Sequence, residues 1–233
     1  MCGRYTYEFT WRQIHEQLTA FDLALADAAL QCADPPPRYN VAPTTDVPVL
    51  RGMEEERGVF ETAQVRWWLV PSWSKEPSTK YPMFNARSED AAKKPSFRGP
   101  FKYKRCVVPA SGFYEWKKLG EKKKQPYYIT RADGQVLYFA GLWDCWRDEL
   151  ESCSILTTSP NAEMSELHHR MPCILEPEDL WQWCDRAQKD AEAVQPLLGP
   201  APDGILESRP VSTRVGNVRN DDPDLTQAIK TPS

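Results

Sequence analysis

Cys2 carries the most distinctive chemistry in the chain, because it follows the initiator directly in Met1-Cys2-Gly3-Arg4-Tyr5. Methionine ahead of a small residue is ordinarily trimmed, which leaves Cys2 with a free α-amine and a thiol on adjacent carbons. The amine titrates near about 7.7–8.0 and the thiol near about 8.5, so both are partly nucleophilic at neutral pH. Such a 1,2-aminothiol traps an aldehyde in two steps. The amine forms an imine with loss of water, and the sulfur then closes a five-membered thiazolidine. An internal cysteine lacks the amine. The alternative is simply an early cysteine in a frayed terminus, so the aldehyde reading needs partners elsewhere.

Three segments offer such partners. Glu115 lies in Ser111-Gly112-Phe113-Tyr114-Glu115-Trp116. Strand alternation puts Phe113, Glu115 and Lys117 on one face and Tyr114 and Trp116 on the other. A carboxylate among aromatics is desolvated, raised in pKa and suited to acid–base work; on an edge strand it would face water. His168 and His169 lie in Glu166-Leu167-His168-His169-Arg170-Met171-Pro172. A loop imidazole there delivers protons near neutrality, or the pair merely caps a turn. Asn85 and Arg87, in a turn beside Trp73, suit a phosphate or an extruded sugar, with a turn Asn and a solvated Arg as the alternative. Arg4 has the same two readings. The tryptophans Trp67, Trp68 and Trp73 form either core or a stacking platform.

These residues must be held by local structure. The spacing of Trp11, Ile14, Leu18, Phe21 and Leu25, with Thr10 as cap, predicts a helix over residues 10–31. The Asp34-Pro35-Pro36-Pro37 segment ends it and starts an extended stretch through Pro43. Residues 47–50, 59–70, 106–109, 112–118, 127–131, 136–146, 154–158 and 206–212 read as strands. Hairpin turns are expected at Gly120 and Asp133-Gly134. Residues 85–90 read as a turn into a short helix, and residues 178–189 as an amphipathic helix. The segment after Asp221 is polar and expected to be loose. The sum is an α+β chain with one domain, built on a curled, largely antiparallel sheet or partial barrel with flanking helices.

Bulk properties narrow the class. The 233 residues are 41% hydrophobic and 27% charged, ordinary for a globular domain with one core. No apolar run approaches a membrane span and no signal peptide precedes the domain, so a soluble intracellular protein is expected. Seven cysteines without a C-x-x-C pair, and three histidines, predict reduced core thiols and neither a zinc site nor any other metal. Net charge is −4, yet residues 85–131 carry 13 Lys and Arg against 4 Asp and Glu. Residues 132–208 reverse the balance, with 4 basic against 15 acidic side chains. Such asymmetry builds a basic face able to attract a polyanion, with Lys117, Lys118, Lys122, Lys123 and Lys124 as either part of it or a solvated hairpin.

Taken in order, these segments resemble the SRAP family, the SOS-response-associated peptidase-like proteins. The resemblance rests on Met1-Cys2-Gly3-Arg4-Tyr5, Arg38-Tyr39-Asn40-Val41-Ala42-Pro43, residues 67–73, Asn85-Ala86-Arg87, Gly112-Phe113-Tyr114-Glu115-Trp116, His168-His169-Arg170-Met171-Pro172 and Val215-Gly216-Asn217-Val218-Arg219-Asn220. It implies a domain over residues 1–222 with Met1 removed, followed by a short polar tail at 223–233. It further implies binding of single-stranded DNA, including junctions with duplex, by a monomer without cofactor. Cys2 would then cross-link to the ring-opened deoxyribose of an abasic site. By the same resemblance Asn85 orients the sugar and the Cys2 backbone, Glu115 moves protons at the imine, and His168 protonates the sugar ring oxygen. Arg4, Arg87 and Arg170 match phosphate-contacting positions, Pro43 a DNA-contacting one, and Trp73 a stacking aromatic. Ser74 stands where some relatives place a second aromatic, and a C-terminal partner-docking segment is not evident. Weak lyase and self-reversal activities are further implications.

Two other classes compete. In an N-terminal cysteine peptidase Cys2 attacks a peptide carbonyl with Glu115 or His168 as base, self-removal of Met1 being its restricted form. In a non-catalytic single-strand reader, only the basic segment and the tryptophans matter.

Overall fold

Side-chain alternation builds the strands on which the candidate residues stand. The computed structural model describes residues 2–120 and 123–229. Expectations for Met1, for Lys122 and for the last residues of the polar tail fall outside that set. The first strands are β1 (Tyr5–Tyr7), β2 (Ala24–Leu25), β3 (Arg38–Val41), β4 (Asp46–Gly52), β5 (Val59–Trp67) and β6 (Asn85–Arg87). The middle of the chain supplies β7 (Arg105–Ala110), β8 (Gly112–Lys118), β9 (Lys124–Arg131), β10 (Leu137–Trp146) and β11 (Leu150–Thr158). Last come β12 (Met171–Pro172), β13 (Ile174–Leu175) and β14 (Leu206–Pro210). The helices are short: α1 (Trp11–Thr19), α2 (Asp27–Gln31), α3 (Ser88–Ala91), α4 (Arg98–Tyr103), α5 (Ala162–Ser165), α6 (Leu180–Cys184) and α7 (Ala191–Val194).

One sheet runs β14-β9-β8-β1-β3, and its pairings are antiparallel. The other follows β12-β11-β10-β7-β4-β5-β2, with β13 on β10 and β6 on β11. A short parallel pairing of β11 with β5, Ser152 to Arg66 and Cys153 to Trp67, closes part of this sheet into a five-strand barrel. The fold is therefore the mixed α+β, single-domain partial barrel that the strand pattern predicts. Its main core is aromatic-rich: Tyr5 and Phe113 from the first sheet meet Trp67 and Phe139 from the second in edge-on contacts. Cys2 belongs to this core.

Several local expectations fail for tertiary reasons. The 10–31 helix stops at Thr19, because Asp22 turns left-handed (φ 57°) and Ala24–Leu25 pairs with the exposed edge of β5. Ala24 N–H donates to Gly58 O and Ala26 N–H to Phe60 O, both at 2.9 Å. Asp133-Gly134 makes no hairpin: β9 stays in the first sheet while β10 crosses to the second. The tight hairpin is instead β10–β11, where Arg147 and Asp148 both take positive φ and Glu149 N–H donates to Trp146 O. That turn matches strand twist without glycine. The 178–189 helix shortens to α6 because buried Arg105 gathers the carbonyls of Trp183, Asp185 and Gln188, which a continuing helix would use internally. Residues 85–87 form strand β6 rather than a turn.

The segment after Asp221 packs rather than hanging loose. Leu225 joins Val211 and Val215 over Tyr114 and Tyr128, covering the outer face of the first sheet. Ala228 bridges to Val211, and Ile229 N–H donates to Pro210 O.

Candidate active site

The register of β1 on β8 delivers the N-terminus to Glu115. Tyr5 pairs with Phe113, and Tyr114 N–H donates to Arg4 O at 3.0 Å. The antiparallel run then carries Gly3 and Cys2 alongside the stretch that begins at Glu115. β8 is an interior strand, held between β1 and β9, so Glu115 is 3% exposed and not an edge residue facing water.

β11 brings the other two groups. On one side Ile155 pairs in parallel with Asn85 and Thr157 with Arg87. On the other, Thr158 pairs with Met171 and Thr157 with Pro172, which places His168 at the same end of the strand. Asn85 Nδ2 donates to the Cys2 carbonyl at 2.7 Å. Asn85 Oδ1 is buried and, among the described residues, has no hydrogen-bond partner. His168 Nδ1 stands 4.0 Å from Glu115 Oε1. The same nitrogen lies 3.1 Å from both the amide nitrogen and the carbonyl oxygen of Arg170, which hold the ring edge in either protonation state. His169 stacks on His168 with ring centroids 4.3 Å apart and faces solvent.

Burial sets the electrostatics. It raises Glu115 above the usual carboxylate range and lowers His168 below the usual imidazole value. It also pushes the Cys2 thiol far up, and the Glu115 carboxylate adds to that shift. The resting thiol is thus protonated, unlike the low-pKa thiolates of hydrolytic cysteines. The arrangement offers a main-chain anchor on Cys2, a carboxyl and an imidazole 4.0 Å apart, and a buried Asn85 oxygen with no hydrogen-bond partner among the described residues.

The remaining expected positions diverge. Arg87 is exposed on β6, and Trp73 is 66% exposed beside Arg98. Trp67 is core, its Nε1 donating to Phe84 O at 2.8 Å. Pro43 is half-buried in a turn over residues 42–45, with Thr44 at φ 80°. Arg4 and Arg170 turn inward. Arg4 donates to Asn40 Oδ1 and Val215 O, both at 2.7 Å. Arg170 is bidentate on Glu89.

The sequence reading gave no role to Tyr81, Asn40 or Glu89. Tyr81 is 66% exposed and lines a depression with Phe84, Asn85, Arg87 and Lys94. No periodicity marks it in sequence. Asn40 is buried and donates to the carbonyls of Val215, Asn217 and Asn220. Its place in the Arg38–Pro43 motif was the available signal.

The family model described as SOS response associated peptidase (SRAP) matches residues 1–218. The chain belongs to the SRAP family. This SRAP chain is 36% identical to the abasic site processing protein YoqW of Bacillus subtilis, over 98% of this chain and 100% of that one. It is 34% identical to the abasic site processing protein YedK of Escherichia coli, over 98% and 100%. It is 34% identical to the abasic site processing protein HMCES of Gallus gallus, over 83% of this chain and 67% of that protein. An X-ray structure of a protein from Bacteroides thetaiotaomicron superposes with a TM-score of 0.79 at 26% identity, over 98% of the SRAP chain and 100% of its own. Among the described residues no helix is long and apolar enough to cross a membrane.

Proposed function

We propose that this SRAP chain processes abasic sites in damaged DNA by binding single strands and bonding covalently to the lesion through Cys2. The observation that carries the reading is the 2.7 Å hydrogen bond from Asn85 to the Cys2 carbonyl, with Glu115 and His168 converging beside it. Membership of a family whose relatives are named for abasic-site processing supports the lesion.

The chemistry follows from the groups. An abasic deoxyribose is a hemiacetal. As the C1′–O4′ bond breaks, the anomeric hydroxyl gives up its proton, His168 protonates O4′, and C1′ becomes an aldehyde. The Cys2 α-amine, freed by removal of Met1, adds to C1′; water leaves with a proton moved by Glu115, and an imine remains. The Cys2 sulfur then bonds to C1′ while the thiol proton passes to the nitrogen, closing the thiazolidine. A high thiol pKa suits this order, in which the amine attacks first and the sulfur adds with its proton. The imine also acidifies C2′, so loss of the 3′ phosphate by β-elimination competes until the ring closes.

The deciding experiment mixes purified protein with single-stranded DNA carrying one abasic site, followed by a denaturing gel. Wild type gives a retained adduct. Cys2→Ala and Cys2→Ser give no stable adduct, because without the thiol the α-amine can form only an imine, which borohydride traps. A full-strength stable adduct from Cys2→Ala overturns the proposal. An N-terminal extension that blocks the amine abolishes capture; a peptidase would survive it.

A further inference from the structure

We infer that Asp144, Ser152 and Trp146 clamp the Pro71–Ser74 turn and so present Trp73 as a preformed face for one nucleobase. The three act through Trp73, as positioning residues. The affinity effects below rest on the single-strand reading; the amide-exchange measurement does not.

Trp73 stands in the open for so large an aromatic. It is 66% exposed at the tip of a turn in which Ser74 N–H donates to Pro71 O at 2.8 Å. That bond closes a four-residue turn with Ser72 and Trp73 at its centre. The ring borders a depression of about 420 Å³ whose other side is made by Pro95, Arg98, Gly99 and Pro100. A loop tip of this kind is ordinarily mobile, and a mobile ring must be ordered before a base can stack on it.

Here the chain on both sides of the ring is tied to the β10–β11 hairpin by side chains. Asp144 and Ser152 are directly paired across that hairpin. Ser152 Oγ accepts from Val70 N–H at 2.8 Å, and Asp144 Oδ2 accepts from Ser72 N–H at 2.7 Å. Beyond Trp73, Trp146 Nε1 donates to Ser74 O at 2.8 Å. Asp144, Ser152 and Trp146 are all buried. Asp144 is itself fixed, because its Oδ1 accepts from Lys104 Nζ at 2.7 Å and from Cys145 N–H at 2.9 Å. Trp146 is covered by the Arg147 guanidinium, 4.7 Å from its ring, and Arg147 Nη2 also donates to Lys75 O at 3.3 Å. Val70, Ser72 and Ser74 are therefore anchored at alternate positions, and Trp73 is left between the last two. Turning the main chain at Trp73 would leave buried polar groups unpaired, which is costly. The ring keeps its aim without DNA, and that removes an ordering cost from binding.

The test uses Cys2→Ala protein, so that binding is read without reaction. Asp144→Ala, Trp146→Phe and Trp73→Ala are added to it singly and in pairs, with melting curves to confirm folding. Two quantities are measured: NMR-detected hydrogen exchange of the Ser72 amide, and the dissociation constant for intact single-stranded DNA across a salt series. The Ser72 amide should exchange slowly in the starting protein and fast in Asp144→Ala. Asp144→Ala and Trp146→Phe should each weaken binding by about 2–10-fold, the scale of ordering one side chain on association. Trp146→Phe alters no charge, so its salt slope should match that of the starting protein. In the Trp73→Ala background neither change should weaken binding further, because no ring remains to be aimed.

The proposal is overturned if the Ser72 amide of the starting protein exchanges like that of an open loop, or if either change leaves affinity untouched. It is equally overturned if either change weakens binding as much without Trp73 as with it. A protein that binds no single strand, and forms no adduct when Cys2 is restored, would sink the functional reading, while Ser72 exchange still decides the clamp.

Discussion

Glu115 Oε1 and His168 Nδ1 stand 4.0 Å apart, and burial drives the two groups in opposite directions on the pH scale, the carboxyl up and the imidazole down. Their ordinary values, about 4.3 and 6.5, are thereby drawn together. A proton moves most readily between groups of similar affinity, so this convergence suits a relay. Both shifts also cost stability when the group is charged, which separates catalysis from folding.

The Glu115 shift predicts a stabilising variant. A folded value above the unfolded one means that the stabilising state is the protonated carboxyl. That contribution is full below the unfolded value, about 4.3, and is lost as pH rises through the raised folded value. At neutral pH Glu115→Gln should therefore melt higher than wild type, and the gain should shrink on acidification. The same variant should form and reverse the adduct more slowly. Calorimetry at neutral and acid pH checks the sign; a Glu115→Gln that melts lower at neutral pH contradicts the assignment.

The two histidines should separate. His168→Ala should slow adduct formation by about 10²–10⁴-fold, the usual worth of an acid–base group, with His169→Ala the milder change because that ring faces solvent. His168 has its folded value depressed, so it favours the fold above about 6.5 and loses that contribution as pH falls. His168→Ala should accordingly blunt the drop in melting temperature on mild acidification. Equal rates for both variants would sink the role of His168.

Arg87 and Trp73 probe DNA binding by different physics. Arg87 is the exposed arginine among the three expected at phosphates. Arg87→Ala should flatten the log-affinity versus log-salt slope by about 0.7 on single strands, irrespective of base sequence. Trp73→Ala should weaken binding by about 1–3 kcal/mol if a base stacks on it, leaving the slope unchanged. Fluorescence anisotropy with Cys2→Ala protein and intact DNA reads both. Slopes that move with Trp73 and not with Arg87 would reverse the assignment.

Asn40→Ala should destabilise the fold without touching a reactive atom. The amide donates to Val215 O at 3.2 Å, Asn217 O at 3.1 Å and Asn220 O at 2.8 Å, and accepts from Arg4 at 2.7 Å. Each buried group left unpaired costs about 1–3 kcal/mol, so a loss of that order or more is expected in denaturant unfolding. Wild-type stability in Asn40→Ala would mean that water replaces the amide at no cost.

Much of this protein was legible in one dimension because the relevant rules are local. Alternation around Phe113, Glu115 and Lys117 has a period of two in any strand, so which side chains of β8 share a face follows from the residues themselves; that both faces are covered does not. The strand count likewise implied the curled sheet, while the roles expected of Asn85, Glu115 and His168 came from the resemblance of whole motifs and not from any one residue. Tertiary structure decided whatever depends on which distant group arrives. Residues 20–26 leave the helical pattern because an open edge of β5 offers hydrogen bonds that helix propensity cannot foresee. Arg147 and Asp148 make the tight turn because strand twist demands it, with no glycine to announce it. Leu225 is buried only because the outer face of β8 and β9 needs a cover. Arg4 and Arg170 read in sequence as cations available to a phosphate. In the folded chain their partners are Asn40 and Val215, and Glu89, and a guanidinium's partner is set by register between strands far apart in the chain.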